Sequence, residues 1–594
     1  MKKTLLFSVA LAGLMLGSCS SSDDLNGGGN NTGSNQSGDG YVAFNINLPS
    51  QAGSSSRAND DFDAGMKSEY DVKDATLLIF EGSSESTAQF KGAYTLNTAP
   101  WKNNGQTDNI TTTSATIVKE IATPTSSDHC YALVVLNKND VFTVDETAKT
   151  ITLKGATATF SGTYKNFAES LSEEDLTKNG FYMANAPLAS KAGGATDPTG
   201  AEINTLANLD DKIKKTESEA KSAPAQIYVE RGVAKVTMQN NTSTTPTKVD
   251  GSTKSDGTSS VDFKITSWVL DNTNKKTYLV RSTDGFNDWT KLASNSSTLA
   301  AANKYRFVGS NAVAANLYRT YFAKDANFDQ TGNTAALTAG DLVTSTNPTF
   351  VDKFGNDNPQ YCFENTFDVA CQNDNMTTRV LIKAELNSGS TFYVINGDEN
   401  TIYPIDEVKK EIKKYFLIEN EAWIKANVTP APSKSEVNGD DLDVEITDDA
   451  GKVSITSITF KSGVTVSSSA TVPTNYDEVL KRIGSIDEYK NGESYYFVRI
   501  KHFGDDMTPW NKDETTKPSA SSIYPDAHQN ENYLGRYGVL RNNWYDIAVE
   551  GVKGLGSATV PKVTIHTDDE LKSYIAVKIN VLSWAKRTQS AILH

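Results

Sequence analysis

Apolar and polar residues alternate in many short segments of this chain, and a period of two is typical of half-buried β-strands. The first such segment, residues 41–48, ends at Pro49. Its apolar face consists of Val42, Phe44, Ile46 and Leu48. Further strands are predicted at residues 75–81, 114–121, 130–136, 226–238, 379–386, 453–460, 495–501, 544–549 and 574–584. Residues 141–153 and residues 261–281 are each predicted as two strands joined by a polar turn. The fold class is therefore mainly β.

Two segments interrupt this pattern. Charges recur at helical spacing in residues 170–177, and residues 405–416 also predict a helix. Residues 240–260 are almost entirely polar and are the best candidate for a domain boundary. We therefore predict two β-sandwich domains with a few short helices, an N-terminal domain at 58–245 and a C-terminal domain at 255–573.

Composition excludes several classes of function. Lys and Arg number 57 against 73 Asp and Glu, which gives a formal net charge of −16. Proteins that bind nucleic acid or anionic membranes need clustered Lys and Arg, so neither partner is expected. Hydrophobic residues make up 38% of the chain, which argues against a disordered acidic protein. Only five His are present, and His is the usual metal ligand and proton shuttle.

The N-terminal residues predict export of the chain as a lipoprotein. Two lysines precede an apolar run at residues 5–16, which is too short to span a bilayer, so residues 1–18 are interpreted as a signal peptide. Small residues stand directly before Cys19, as in a lipoprotein signal whose cysteine is acylated. The alternative is an ordinary signal peptide with an incidental cysteine. Residues 19–57 then hold the lipidated Cys19, a flexible linker and the first strand.

Three thiols remain if Cys19 carries lipid: Cys130, Cys362 and Cys371. Cys362 and Cys371 are near enough in sequence to close a short loop by a disulfide, and an odd number leaves one thiol free. The fold is therefore not expected to depend on a disulfide framework.

Three local patterns suggest chemistry, and each has a simpler structural explanation. Residues 551–556 are Gly-rich but lack the third Gly of a phosphate-binding loop. Residues 440–445 carry carboxylates at calcium-like spacing without a Gly at the turn. His129 and Cys130 are adjacent and would point to opposite faces of a strand, so they predict no catalytic pair. We predict no catalytic residue, no metal ligand and no cofactor, and a protein that is not an enzyme.

Several sequence blocks, in their order along the chain, resemble one known family. They are residues 229–236 (VERGVAKV), 265–270 (ITSWVL) with 276–279 (KTYL), 361–366 (YCFENT) with 378–380 (TRV), 537–545 (YGVLRNNWY) and 579–584 (INVLSW). Together they resemble FimA/Mfa-type fimbrilins, the subunits of type V pili, and are most similar to the Mfa-like major-subunit branch. The resemblance implies transthyretin-like β-sandwich domains.

The resemblance also implies export as a lipoprotein followed by cleavage by an Arg-specific protease. Arg57-Ala58 lies in a polar segment after the first strand, where this cut is expected. The alternative is a surface Arg in a flexible loop. Cleavage would remove strand 41–48 together with the lipid anchor.

Loss of this strand would leave an apolar groove with unpaired backbone groups, which is a template for another strand. A neighbouring subunit would fill the groove by strand addition, and such a head-to-tail contact extends into an open filament. The donor strand is predicted within residues 574–594, with its apolar residues at Ile575, Val577, Ile579, Val581, Ala591 and Leu593. Alternatively, residues 574–584 are the last strand of their own domain and only 585–594 are donated.

The sequence therefore predicts a cell-surface fimbrial subunit that begins as an outer-membrane-anchored lipoprotein and supports adhesion. Its partners would be copies of itself or related subunits, the Arg-specific protease, the outer membrane through lipid, and host or bacterial surface ligands. The alternative is a lipoprotein that stays anchored and binds a glycan or a host ligand.

Overall fold

The computed structural model of the 594-residue chain describes most of its length. The described residues are 39–48, 66–98, 114–124, 128–193, 200–240, 247–257, 260–285, 307–314, 316–328, 342–343, 347–366, 376–398, 400–503, 535–563 and 575–583. Within these ranges, no helix is both long enough and apolar enough to cross a membrane.

Strands of three or more residues are numbered here β1 to β22. The first ten are β1 (Asp39–Asn47), β2 (Ala75–Gly82), β3 (Gln89–Thr95), β4 (Ser114–Ala122), β5 (His129–Leu136), β6 (Phe142–Asp145), β7 (Thr150–Leu153), β8 (Met183–Asn185), β9 (Ala225–Arg231) and β10 (Ala234–Asn240). The others are β11 (Asp262–Asp271), β12 (Val308–Ala314), β13 (Leu317–Thr320), β14 (Gln360–Cys362), β15 (Arg379–Leu386), β16 (Phe392–Ile395), β17 (Leu442–Asp449), β18 (Lys452–Phe460), β19 (Ile486–Tyr489), β20 (Glu493–Arg499), β21 (Asn543–Val552) and β22 (Ile575–Ser583).

The α-helices are α1 (Tyr164–Ala168), α2 (Glu217–Ser222), α3 (Ile405–Glu419), α4 (Glu421–Asn427) and α5 (Tyr476–Ile483). Short 3-10 turns lie at Lys67–Glu69, Asn387–Gly389, Gly439–Asp441 and Lys490–Gly492. Strands of two residues occur at Leu171–Ser172, Leu188–Ala189, Ile203–Asn204, Ala207–Asn208, Thr247–Lys248, Thr253–Lys254, Thr273–Asn274, Thr277–Tyr278, Leu342–Val343, Thr401–Ile402, Val428–Thr429 and Thr465–Val466.

The first domain is built on one sheet with the strand order β3-β2-β5-β8-β9-β1-β4. β2 and β5 are interior strands whose residues are buried on both faces over most of their length. Side chains from β1 in one half of the sheet and from β2 in the other half belong to a single hydrophobic core. The sheet therefore curls around that core, and β1 is one of the strands that close it.

The second domain is a sandwich of two four-stranded sheets. One sheet has the order β14-β10-β21-β22, and in the other the two-residue strand Thr247–Lys248 is followed by β11-β15-β20. Val236 of β10, Ile547 of β21 and Ile382 of β15 lie in the same core, so the apolar faces of the two sheets pack against each other. The predicted mainly β fold with β-sandwich domains and a few short helices is confirmed.

A smaller lobe occupies the chain between β15 and β20. Its antiparallel sheet has the order β16-β19-β18-β17, and helices α3 and α5 complete its core. α3 begins after Pro404, carries two acidic residues in its first turn, and buries Val408, Ile412 and Phe416 at four-residue spacing. The predicted helix at 405–416 is therefore confirmed, whereas the lobe around it was not foreseen.

The predicted helix at 170–177 is wrong. Side chains in this segment bind nearby backbone N–H groups, with Glu174 N–H donating to Ser172 Oγ (3.2 Å) and Thr177 N–H donating to Asp175 Oδ1 (2.9 Å). Such local bonds favour turns over helix. The helix lies earlier, at α1, where Thr163 forms a capping box with Asn166.

The predicted hairpin at 261–281 is also wrong. β11 pairs antiparallel with β15, more than one hundred residues later, with Phe263 opposite Leu386. The second half of the supposed hairpin pairs instead with Leu171–Ser172 of the first domain. Buried polar contacts hold the intervening residues, since Arg379 donates to Asp271 (2.9 Å) and Asn274 donates to Asp325 (2.7 Å).

The predicted single strand at 226–238 is divided into β9 and β10 at Gly232 and Val233. A Cβ on Gly232 would lie 3.0 Å from the ring of Tyr182, so this position requires a close approach. β9 contributes to the first core and β10 to the second. The chain thus passes from one core to the other at these two residues, before the polar segment in which the sequence placed the boundary.

Candidate assembly site

Strand β1 lies inside the first-domain sheet and has a partner on each edge. β4 pairs antiparallel with all nine residues of β1. β9 pairs in parallel with its second half, beginning at Phe44 opposite Ala225. Near its start, Tyr41 N–H donates to the carbonyl of Lys214 (2.8 Å), and Lys214 N–H donates back to the carbonyl of Tyr41 (2.9 Å). The backbone of β1 is therefore hydrogen-bonded on both edges.

The alternating apolar residues of β1 point into the first core. Val42, Phe44 and Ile46 are each 0% exposed, and Leu48 is 4% exposed. They pack in the same cluster as residues of β2, β5 and β9. The alternation that predicts a strand thus also identifies its buried face.

The opposite face of β1 is covered unevenly. Tyr41, Asn45 and Asn47 are half-buried, whereas Ala43 between them is 1% exposed. Asn45 donates to the side chain of Gln226 (2.9 Å), and Asn47 donates to the carbonyl of Ile227 (3.1 Å). The outer face therefore accepts polar side chains at two positions but only a small side chain at Ala43.

A segment before β9 holds the start of β1 closely. A Cβ on Gly40 would lie 2.5 Å from Ile213 Cγ2, so only Gly fits at this point without displacing a neighbour. The same segment continues into α2, which lies against β1 and β4. Thr216 and Glu219 form a capping box at the start of α2 and fix its position.

Withdrawal of β1 would uncover a groove bounded by β4 and β9. Burying four large apolar side chains at about 1.5–3 kcal/mol each gives roughly 6–12 kcal/mol as an upper estimate. The uncovered backbone groups of β4 and β9 would also lack partners. Such a groove strongly favours the entry of another strand.

The predicted lipidation and cleavage residues, Cys19, Arg57 and Ala58, lie outside the described residues. The outer predicted donor residues, Ala591 and Leu593, also lie outside them.

Residues 575–583 form β22, which pairs antiparallel with β21 of the same chain. Ile575, Val577, Ile579 and Val581 lie opposite Val552, Val549, Ile547 and Tyr545 respectively. In the single chain this segment is the last strand of its own domain, which is the alternative that the sequence left open. Among the described residues, β22 stands at the end of its sheet order with one strand neighbour, whereas β1 has two.

A set of buried charges joins the two domains close to the end of β9, and sequence reasoning did not predict it. Lys235 Nζ lies 2.9 Å from Glu69 Oε1, and the two side chains are 1% and 0% exposed. Arg231 Nε donates to the carbonyl of Glu69 (2.9 Å), and the hydroxyl of Tyr361 donates to its carboxylate. The ammonium of Lys235 also lies 3.9 Å from the ring centroid of Trp544. One carboxylate from the first domain thus binds residues from several parts of the chain.

A second buried pair continues the junction. Arg281 Nε donates to Glu230 Oε1 (2.7 Å), and Arg281 also donates to the carbonyl of Arg541 (3.0 Å). Arg541 in turn donates to Thr277 Oγ1 (2.9 Å). Burial raises the pKa of Glu230, and the neighbouring Arg281 opposes that shift. Burial likewise lowers the pKa of Arg231 to about 10, so this guanidinium stays charged at neutral pH.

Asp325 forms a further polar centre nearby. Its carboxylate accepts hydrogen bonds from Asn274 Nδ2 (2.7 Å), Thr366 N–H (2.6 Å) and Asn327 N–H (2.6 Å). Burial is the largest influence and raises the pKa of Asp325 to about 7.

Three of the sequence blocks that resemble fimbrilins meet at this junction. Residues 229–236 supply Glu230 and Lys235, residues 361–366 supply Tyr361, and residues 537–545 supply Arg541 and Trp544. The blocks therefore mark the surface on which the two domains are fixed together. The signal in the sequence was the clustering of charges within strands that otherwise read as core.

The residues considered for catalysis or metal binding make ordinary structural contacts in the fold. His129 Nδ1 lies 2.6 Å from Asp210 Oδ2, and burial raises the pKa of the Cys130 thiol to about 12. Cys362 is also a buried free thiol. Asp441 binds Lys434 (2.6 Å). Within the described ranges, no group of three or more His, Cys, Asp or Glu side chains is arranged to hold a metal ion.

Comparison with known proteins gives one family match. Residues 520–590 match the family model for the major fimbrial subunit protein type IV, fimbrillin, C-terminal. This segment contains the blocks at 537–545 and 579–584, and the match confirms their resemblance to fimbrilins. No curated protein matches the chain.

The solved structures that match the chain share little sequence with it. A candidate cell adhesion protein from Parabacteroides distasonis is 12% identical, with a TM-score of 0.34, and the match covers 92% of this chain and 98% of that one. The tip fimbrial protein Mfa3 from Porphyromonas gingivalis, truncated at its C-terminus, is 10% identical, with a TM-score of 0.27 and coverages of 92% and 100%. A fimbrial assembly protein from Parabacteroides distasonis is 9% identical, with a TM-score of 0.25 and coverages of 71% and 100%.

Proposed function

We propose that this chain is a structural, non-enzymatic subunit of a cell-surface fimbrium that supports adhesion. In this proposal the chain is exported as an outer-membrane lipoprotein acylated at Cys19 and is cut after Arg57. The cut releases β1 with the lipid anchor, and the C-terminal segment of a neighbouring subunit then fills the groove. The family match at residues 520–590 supports the fimbrial part of the proposal.

The observation that carries the proposal is the position of β1 in the sheet. It is an interior strand with four buried apolar side chains, yet it is the first strand described and Arg57 follows its last residue by ten positions. A single cut in that segment would separate an interior strand from the rest of its domain. A subunit activated by proteolysis requires this arrangement, because the cut must release a strand that the rest of the sheet can bind again.

Donor-strand exchange accounts for the rest of the assembly. The emptied groove offers the hydrogen-bonding edges of β4 and β9 and the sites of four apolar side chains, which together favour one strand with alternating apolar residues. Each subunit would donate at its C-terminus and accept in its first domain, so the contact is head-to-tail and propagates without closing. The partners are therefore other copies of this chain or related subunits, together with the Arg-specific protease.

The N-terminus of the mature surface protein tests the proposal. Mass spectrometry of protein sheared from the cell surface is expected to find Ala58 as the first residue. Arg57→Lys keeps the positive charge but removes the residue that an Arg-specific protease needs, and it should leave the chain lipidated and unpolymerised. An acylated Cys19 on essentially all surface copies would refute the fimbrial proposal in favour of an anchored lipoprotein that binds a glycan or host ligand.

Deletion of the C-terminal segment tests the donor. A chain lacking residues 575–594 is expected to be exported and cut but not to form multimers that resist denaturant. A chain lacking only residues 584–594 shows which part of the segment is donated. Multimer ladders that persist in the longer deletion would rule out this segment as the donor.

A further inference from the structure

The last described strand repeats the sequence pattern of the first. β1 and the residue that follows it contain VAFNINL at residues 42–48, and β22 contains IAVKINV at residues 575–581. Aligned without gaps, the two segments place apolar residues at the same four positions. They also share the same Ala, Ile and Asn at the second, fifth and sixth positions, and a Tyr precedes each segment in the sequence.

The groove selects among the ways in which such a strand could enter. The outer face of β1 is half-buried at Asn45 and Asn47 but closed at Ala43, which is 1% exposed. With Ile575 at the position of Val42, Ala576 occupies the closed position. The small side chain of Ala576 then lies at the one outer-face position that accepts only a small side chain.

The neighbouring registers fail at this position. Moving the donor by two residues in one direction would place Lys578 at the closed position, and moving it by two in the other direction would place Tyr574 there. Reversing the strand so that Ile575 takes the place of Leu48 would put Asn580 there. Burial of a charged or unpaired polar side chain is strongly unfavourable, and a Tyr exceeds the volume of an Ala. A shift by one residue would turn the apolar face outward.

The direction of the strand is also supported by its polar residues. In the unshifted register Asn580 takes the place of Asn47, whose side chain donates to the carbonyl of Ile227 (3.1 Å). Lys578 takes the place of Asn45, on the half-buried outer face opposite the exposed Thr116. The outer face therefore keeps one hydrogen bond and leaves the single charge near solvent.

The strand pairing indicates why β22 would leave its own sheet. In the described chain β22 pairs on one edge, with β21. In the groove it would pair on both edges, with β4 along its length and with β9 along its second half, as β1 does. The transfer therefore replaces a terminal strand position with an interior one.

We infer that β22 of a second copy of this chain occupies the groove in the register of β1, antiparallel to β4 and parallel to β9. Ile575, Val577, Ile579 and Val581 then take the places of Val42, Phe44, Ile46 and Leu48. This inference rests on the proposed fimbrial function and specifies its donor, direction and register.

Cysteine cross-linking in the assembled filament tests the register. Thr116→Cys places a thiol on the exposed face of β4, opposite position 45 of β1. It is combined in the full chain with Lys578→Cys, or with Ala576→Cys or Asn580→Cys as matched variants displaced by two residues. Each chain is cut with an Arg-specific protease, polymerised and oxidised, and reducible multimers are measured on a denaturing gel. A chain with Thr116→Cys alone is the control for the native thiols.

The Lys578→Cys pair is expected to give several-fold more reducible ladder than either displaced pair. A maximum at Ala576→Cys or Asn580→Cys would overturn the register. Polymers that form with no cross-link above the control in any variant would overturn β22 as the inserted strand while leaving the fimbrial function intact. Complete cleavage without any polymer would instead refute the proposed function, and the inferred register with it.

Discussion

Replacing Phe44 with Ala separates the two roles proposed for β1. Phe44 is 0% exposed and packs in the first core, so the substitution removes a full aromatic side chain from a closed site. Phe→Ala changes in cores cost about 3–5 kcal/mol. At about 2–4 °C per kcal/mol for a domain of this size, the uncut precursor should unfold roughly 10 °C lower than the unaltered chain.

The cut chain should respond differently, because the proposed filament no longer contains β1. Once the chain is cut after Arg57, the weakened strand should leave the groove faster, by roughly 10² to 5 × 10³-fold if the whole loss appears in the release barrier. The finished polymer should dissociate at the same temperature as the unaltered polymer. The assays are differential scanning fluorimetry of the precursor, gel analysis of released N-terminal peptide after cleavage, and the temperature at which multimers dissociate in detergent.

Asn45→Ala is the matched control on the same strand. Asn45 is half-buried on the outer face and makes a single exposed hydrogen bond to Gln226, so its loss should change the precursor by less than about 1 kcal/mol. A Phe44→Ala polymer that is destabilised as much as its precursor would show that β1 stays in the groove. That result would refute the reasoning from strand release.

Three further changes test other parts of the structure. Lys235→Met should destabilise the chain by about 3–5 kcal/mol, because Glu69 would lose its buried ion pair, and adding Glu69→Gln should recover much of that loss in urea unfolding. Gly40→Val should destabilise the uncut precursor by about 1–3 kcal/mol, because the new side chain meets Ile213; an unchanged unfolding temperature would contradict the close packing. The pKa of Asp325 is raised by burial from 3.8 to about 7, so the native chain binds an extra proton between these values and its stability should fall as pH rises through them. Asp325→Asn should remove up to about 3 kcal/mol of this pH dependence, measured as the difference in the free energy of unfolding between pH 4.5 and pH 7.5.

The strands were predictable where alternation or continuous apolar character is strong. Residues 41–48, 75–81 and 379–386 form β1, β2 and β15 with small changes at their ends. Their partners were harder to predict, because a strand pattern reveals which face is buried but not which distant segment lies beside it. Residues 261–281 look like a local hairpin, yet β11 pairs with β15 from a later part of the chain.

The buried junction could not be predicted from the sequence, because charged residues within a strand normally indicate its exposed face. Glu230, Arg231 and Lys235 interrupt apolar strands and resemble the outer face of an amphipathic sheet. They are buried because their partners come from remote segments, such as Glu69 and Arg281. The cost of removing a charged side chain from water is offset only when such a partner is present, and a single sequence does not reveal that pairing.

The inserted lobe was missed for a different reason. Its helix at 405–416 and its strand at 453–460 were predicted, but its other strands are short or strongly polar. β17 carries exposed acidic residues on alternate positions, so the segment resembled a solvated charge run more than a strand. The lobe becomes evident only when α3 and α5 are seen to close over β16 to β19.

The two-residue passage between β9 and β10 has a mechanical consequence. β9 borders the groove in the first domain, and β10 joins β21, which borders β22 in the second. A pull along the proposed filament would therefore pass from the incoming strand through β9, along the covalent chain at Gly232 and Val233, and out through β10 and β21. Buried ion pairs lie on either side of this passage. We therefore expect the load to act along the strands, in shear, where many hydrogen bonds must break together.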